Sequence, residues 1–191
     1  MSVYCLIDRS GSMASCVDDT IGGFNTFLQS QSPDTMISLT LFDNQITPVY
    51  KKKALEADLL TSETFVPRGS TSLLDAIGHV IKSVPVGEIP TIVILTDGFE
   101  NTSTKYTKLH INDLITEKKN LGWSFVFLAA NQDAIQSANQ LGIPEGSALT
   151  YDTCNVTSAF RSASNAIERL RTGATPCVQF TQEERSEALP S

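Results

Sequence analysis

Three short polar clusters interrupt an otherwise apolar and helical pattern. Asp8-Arg9-Ser10-Gly11-Ser12 follows an apolar run, Gly69-Ser70-Thr71-Ser72 precedes a helical stripe, and Thr96-Asp97-Gly98 follows the most hydrophobic run in the chain. Singly, each has a plain structural explanation. An aspartate at a strand end is a turn or cap residue, Ser-Gly-Ser is a common loop, and Ser70 or Thr71 before an apolar helical run is an N-cap. Together they supply two carboxylates, Asp8 and Asp97, and three hydroxyls, Ser10, Ser12 and Thr71. Hard oxygen donors of this kind are what Mg²⁺ demands. Nucleophilic chemistry at Ser10 would need an adjacent base such as histidine. Nothing in the sequence places His79 or His110 beside it, and His79, among Ile77, Val80 and Ile81, reads as a partly buried or surface residue. Glu100 and Asn101, close behind Asp97, read as a solvated loop, with a supporting role around the site as the lesser alternative.

The elements that must position these clusters are legible from periodicity. Residues 3–7 (VYCLI), 36–42 (MISLTLF), 91–96 (TIVILT) and 123–129 (WSFVFLA) are apolar runs short enough to be strands buried on both faces. Asp43-Asn44 is a tight-turn dipeptide, so residues 46–50 follow as a short antiparallel edge strand. Residues 147–150 read as a second edge strand. Helical stripes run through Val17, Ile21, Phe24 and Leu28, through residues 73–84 to Pro85, and through Leu114, Ile115 and Leu121, with Gly122 past the helix end. A short helix spans Ile135 to Leu141. A final amphipathic helix runs from Val156 to Leu170, with Asn155 as its expected cap. Strands alternating with helices mean a mainly parallel sheet covered on both faces, an α/β fold. In such sheets, ligands bind beyond the carboxyl ends of the strands, and all three polar clusters fall there. Residues 1–172 read as one domain. Residues 173–191 read as a polar tail, disordered unless a partner or the domain surface holds it.

Composition narrows the function class. At 191 residues with 41% apolar content, the chain is long enough to bury a real core. A formal net charge of −7 argues against a nucleic-acid surface, which needs a clustered basic footprint. The one basic run, Lys51-Lys52-Lys53, reads as a solvated strand end that discourages edge pairing. No stretch approaches the roughly 18 apolar residues of a membrane helix, and no secretory signal is read at the start. Cys5, Cys16, Cys154 and Cys177 form no Cys-x-x-Cys pair, so a zinc site is not expected and a reducing, cytoplasmic setting is.

The clusters also carry a family resemblance. Asp8-x-Ser10-x-Ser12, Thr71 and Asp97 resemble, in order and spacing, the metal-ion-dependent adhesion site of von Willebrand factor A domains. The surroundings Gly69-x-Thr71-x-Leu73-x-Asp75-Ala76-Ile77 and Ile94-Leu95-Thr96-Asp97-Gly98 are similar to that family's settings. The resemblance covers roughly residues 1–172. It implies a Rossmann-like, three-layer αβα fold with one antiparallel edge strand. It also implies coordination of Mg²⁺ or Mn²⁺ by the hydroxyls of Ser10, Ser12 and Thr71, with Asp8 and Asp97 acting largely through bound water, or directly in some states. The partner it implies is a protein presenting an Asp or Glu side chain. The expected function is therefore a metal-dependent protein-interaction domain rather than an enzyme. A structural component of a phage (virion) or cell-surface assembly, with the site as an inter-subunit contact, is the alternative. A strand-end aspartate beside Mg²⁺ is also a feature of haloacid-dehalogenase-like phosphotransferases. That class expects a second aspartate two residues on, where this chain has Ser10.

Overall fold

The computed structural model describes residues 1–130, 133–153 and 155–189. Six strands form one sheet: β1 (Ser2–Asp8), β2 (Met36–Phe42), β3 (Ile46–Lys53), β4 (Thr91–Thr96), β5 (Ser124–Ala130) and β6 (Ala148–Tyr151). Their order is β3-β2-β1-β4-β5-β6, and every neighbouring pair is parallel except β2 with β3. The helices are α1 (Val17–Ser30), α2 (Leu73–Ser83), α3 (Lys108–Asn120), α4 (Ala134–Gln140), α5 (Val156–Arg171) and α6 (Gln182–Glu187). The chain thus has the α/β, Rossmann-like, three-layer architecture expected of it.

The period-2 alternation of strands divides the interior into two cores. Val3, Cys5 and Ile7 of β1 face the side covered by α1 and α5, where Phe24, Phe27 and Phe160 pack ring against ring. Tyr4 and Leu6 face the opposite side, against Ile77, Ile81 and Ile111 of α2 and α3. Because β1 and β4 lie at the centre, buried on both faces, the residues that leave their carboxyl ends are held on rigid supports. β3 runs to Lys53, beyond the expected residue 50, and a register shift between Leu39 and Thr40 accommodates Pro48 on this edge. All three lysines are in the strand, paired with Glu88, Asp58 and Asp34.

Two details differ from expectation. A 3-10 turn (Gly11–Cys16) precedes α1 and carries the chain away from the first polar cluster. Asn155 makes no side-chain cap on α5. The Asp19 carboxylate of α1 does so instead, accepting from the Val156 amide at 2.5 Å and the Thr157 hydroxyl at 2.5 Å. Gly23 permits the approach: a Cβ there would stand 3.0 Å from the Thr157 Cα.

The segment beyond Thr172 is held by the domain's own surface. Val178, Phe180 and Ala188 are buried against the α1–α5 core. Thr181 and Glu184 form a capping box on α6, and Arg169 pairs with Glu184 at 2.7 Å. Arg185 donates to the carbonyl of Ala148 at 2.8 Å and that of Glu145 at 3.0 Å, and the Asp152 amide donates to the Ala188 carbonyl at 2.9 Å. The segment therefore occupies the outer edge of β6. Cys5 and Cys16 are buried, Cys177 is exposed, and Cys154 lies outside the described residues.

Candidate metal site

Asp8, Ser10, Ser12, Thr71 and Asp97 are brought to one rim of the sheet. Asp8 ends β1, and its side chain is fully buried. One carboxylate oxygen accepts from the Ser10 amide at 2.7 Å and the other from the Thr96 hydroxyl at 2.6 Å, so β1, its loop and β4 are tied together there. The Ser10 and Ser12 hydroxyls lie 3.1 Å apart, and Ser12 donates to Asp97 at 2.6 Å. Thr71 is buried at the start of α2. A Cβ built on Gly98 would stand 3.2 Å from its Oγ1 and 3.5 Å from the Ser12 Oγ, so both hydroxyls crowd the same glycine.

Neighbouring side chains fix the loops. Arg9 turns away from Asp8 to pair with Asp43 at 2.9 Å and donate to Thr47 at 2.8 Å. Arg68 joins the same carboxylate at 2.9 Å, and its amide donates to the Arg9 carbonyl at 2.8 Å. Burial alone would raise the Asp43 carboxyl. Hydrogen bonds from Arg68 and the Gln45 amide, with the Arg9 charge, outweigh that and hold it below the usual range. Gly69 lies in the left-handed region at φ 64, with the Asn44 side chain where a Cβ would be, so only glycine fits this turn.

Glu100 and Asn101 are not merely a solvated loop. Asn101 accepts from the Thr71 amide at 3.0 Å, and its own amide donates to the Thr71 carbonyl at 3.1 Å. Glu100 accepts from the amides of Leu74, Thr102 and Ser103 and from the Ser103 hydroxyl. Asp75, buried on α2, accepts from the amides of Thr104, Lys105 and Tyr106. The loop after β4 is thus stitched to the start of α2, which sets Thr71 beside Asp97. Glu100 near the start of that loop and Asp75 in the first turn of α2 were the available sequence signal.

The electrostatics fit a cation. Burial, with a smaller contribution from repulsion by Asp97, pushes the Asp8 carboxyl up to about 6 against the lowering effect of its hydrogen bonds. Burial likewise raises Asp97, against its bond from Ser12. No basic side chain offsets either burial. Each hydroxyl that donates to a neighbour keeps oxygen lone pairs for a metal. Among the described residues no group of three or more His, Cys, Asp and Glu side chains is placed to hold a metal, so hydroxyls must form part of any coordination here. The residues present fit a hard divalent cation. His79 and His110 are both exposed.

No protein-family model matches the sequence, and no curated protein matches it. Solved structures share the fold. The von Willebrand factor domain of a type V pilus tip protein from Porphyromonas gingivalis matches with a TM-score of 0.69 and 12% identity, over 95% of this chain and 97% of that one. The paralog of ArnB from Sulfolobus acidocaldarius matches at 0.59 and 19% identity, over 87% of this chain and 44% of that one. A proximal thread matrix protein from the mussel byssus, solved with a zinc-occupied adhesion-site motif, matches at 0.61 and 12% identity, over 84% and 46%. The chain spans less than half the length of the latter two proteins.

Proposed function

We propose that this chain, whose fold is that of the von Willebrand factor A domains, is a metal-ion-dependent protein-interaction domain. Ser10, Ser12 and Thr71 would hold Mg²⁺ or Mn²⁺ by their hydroxyls, with Asp8 and Asp97 balancing its charge. The observation that carries this reading is the convergence of two buried carboxylates and three hydroxyls from three loops on one rim, without a basic partner. When bound, the ion supplies an electrophilic centre for an incoming anion. Asp8, engaged at both oxygens, is disposed to act through water. The neutral hydroxyls leave the cation less neutralised than carboxylates would, which favours a carboxylate from a partner's Asp or Glu. Among the described residues Ser10 bonds Asp8 and Ser12 rather than a histidine, which supports binding over catalysis.

Calorimetry tests the site. Wild-type protein should bind Mn²⁺, Asp8→Ala should not, and Thr71→Ala should lose more affinity than Ser70→Ala. Equal affinity in wild type and Asp8→Ala would remove the basis for the reading.

A further inference from the structure

Beside the site, the rim carries an aromatic ring that the core does not use. Phe99, two residues beyond Asp97, is 67% exposed. Its exposure does not come from a slack loop. On one side the Gly98 amide donates to the Thr96 hydroxyl at 3.2 Å, and on the other Glu100 is fixed by its four hydrogen bonds. The backbone therefore presents the ring at a set place beside the site.

Phe99 lines a cleft of about 40 Å³ that opens at Gly98 and is lined also by Leu73, Phe127 and Leu141. Phe127 and Leu141 are buried, so the cleft has an apolar floor. At its margin Lys108 donates to Gln140 at 2.9 Å, so these polar groups already satisfy one another and an apolar occupant strands neither. The volume admits a small alkyl group of a few carbon atoms.

We infer that Phe99 and this cleft form a specificity subsite, and that the partner's coordinating Asp or Glu is flanked by a small branched aliphatic side chain. This rests on the metal-dependent reading above. The cation takes the carboxylate, and the cleft takes the neighbouring alkyl group beneath Phe99. Desolvated aromatic side chains next to a charged anchor are the usual place for binding energy to concentrate.

The test uses simple carboxylates as probes of Mn²⁺-loaded protein, read by proton line broadening of the probe. 3-Methylbutanoate should bind about tenfold tighter than acetate, as burial of about two of its three additional carbons requires. Phe99→Ser should bring that ratio close to one while Mn²⁺ affinity stays unchanged, and Phe99→Leu should keep most of it. Equal binding of the two probes by wild type, or a ratio unaffected by Phe99→Ser, overturns the subsite and leaves the metal site standing. Tighter binding of phenylacetate than of 3-methylbutanoate overturns the assignment of a small aliphatic occupant. Broadening that persists in Asp8→Ala, or is absent in wild type, sinks the metal reading and the subsite with it.

Discussion

Asp43 shows how much of the rim depends on residues that touch no ligand. Its buried carboxylate holds Arg9 and Arg68, and through them the loops carrying Ser10 and Thr71. Asp43→Ala would leave the buried Arg9 without its counter-charge, and should destabilise the fold by about 3 kcal/mol in denaturant titrations. The pH dependence has a definite sign. The native carboxyl titrates below its ordinary range, so its contribution is complete above about pH 5 and is lost as pH falls through the native value. The stability gap between wild type and Asp43→Asn should therefore be constant from about pH 7 to 5 and narrow below about pH 4. A gap that widens on acidification would contradict the pairing. The five candidate ligands were legible in the sequence because two carboxylates and three hydroxyls fall at predicted strand ends and at one helix start. The supporting roles of Arg9, Asp43, Asp75, Glu100 and Asn101 were not. They depend on side chains reaching across loops whose conformations no local periodicity encodes.

At the scale of elements, strands and helices followed from hydrophobic periodicity, while their junctions did not. Asn155 is a good N-cap by residue type. Asp19, 137 positions before Val156, takes the role because Gly23 lets α1 approach the first turn of α5. Asp19→Ala should cost about 1–2 kcal/mol, whereas Asn155→Ala should cost less; thermal melts of the two variants decide between the caps. The stretch after Thr172 is polar enough to read as a tail, yet Val178, Phe180 and Ala188 are spaced to seat on the core while Arg185 occupies the Ala148 carbonyl at the start of β6. An open edge invites pairing with another chain. Truncation after residue 172 should therefore raise the self-association seen in sedimentation, with faster amide exchange over 148–151. A truncated protein that stays monomeric with protected β6 amides would show that the segment does not guard this edge.

For the whole molecule, a cation that binds only the folded state raises stability in proportion to the logarithm of its concentration. At a hundredfold excess over its dissociation constant the gain is about 2.7 kcal/mol. Melting temperature should rise with Mg²⁺ or Mn²⁺ in wild type and stay flat in Asp8→Ala; a parallel rise in both would indicate binding elsewhere. The path of the last residues also determines how the molecule can be tethered. Met1 lies at the amino end of β1, its carbonyl bonded to the Met36 amide, on the side of the sheet opposite the rim. Ala188 is bonded to Asp152, just past the carboxyl end of β6. Two strand spacings, about 10 Å, separate β6 from β4, which carries Asp97 at its end. Ala188 is therefore held toward the metal face, whereas Met1 is at the far pole. A surface or fusion attached at the carboxyl end will crowd the approach, and one attached at the amino end will leave it clear.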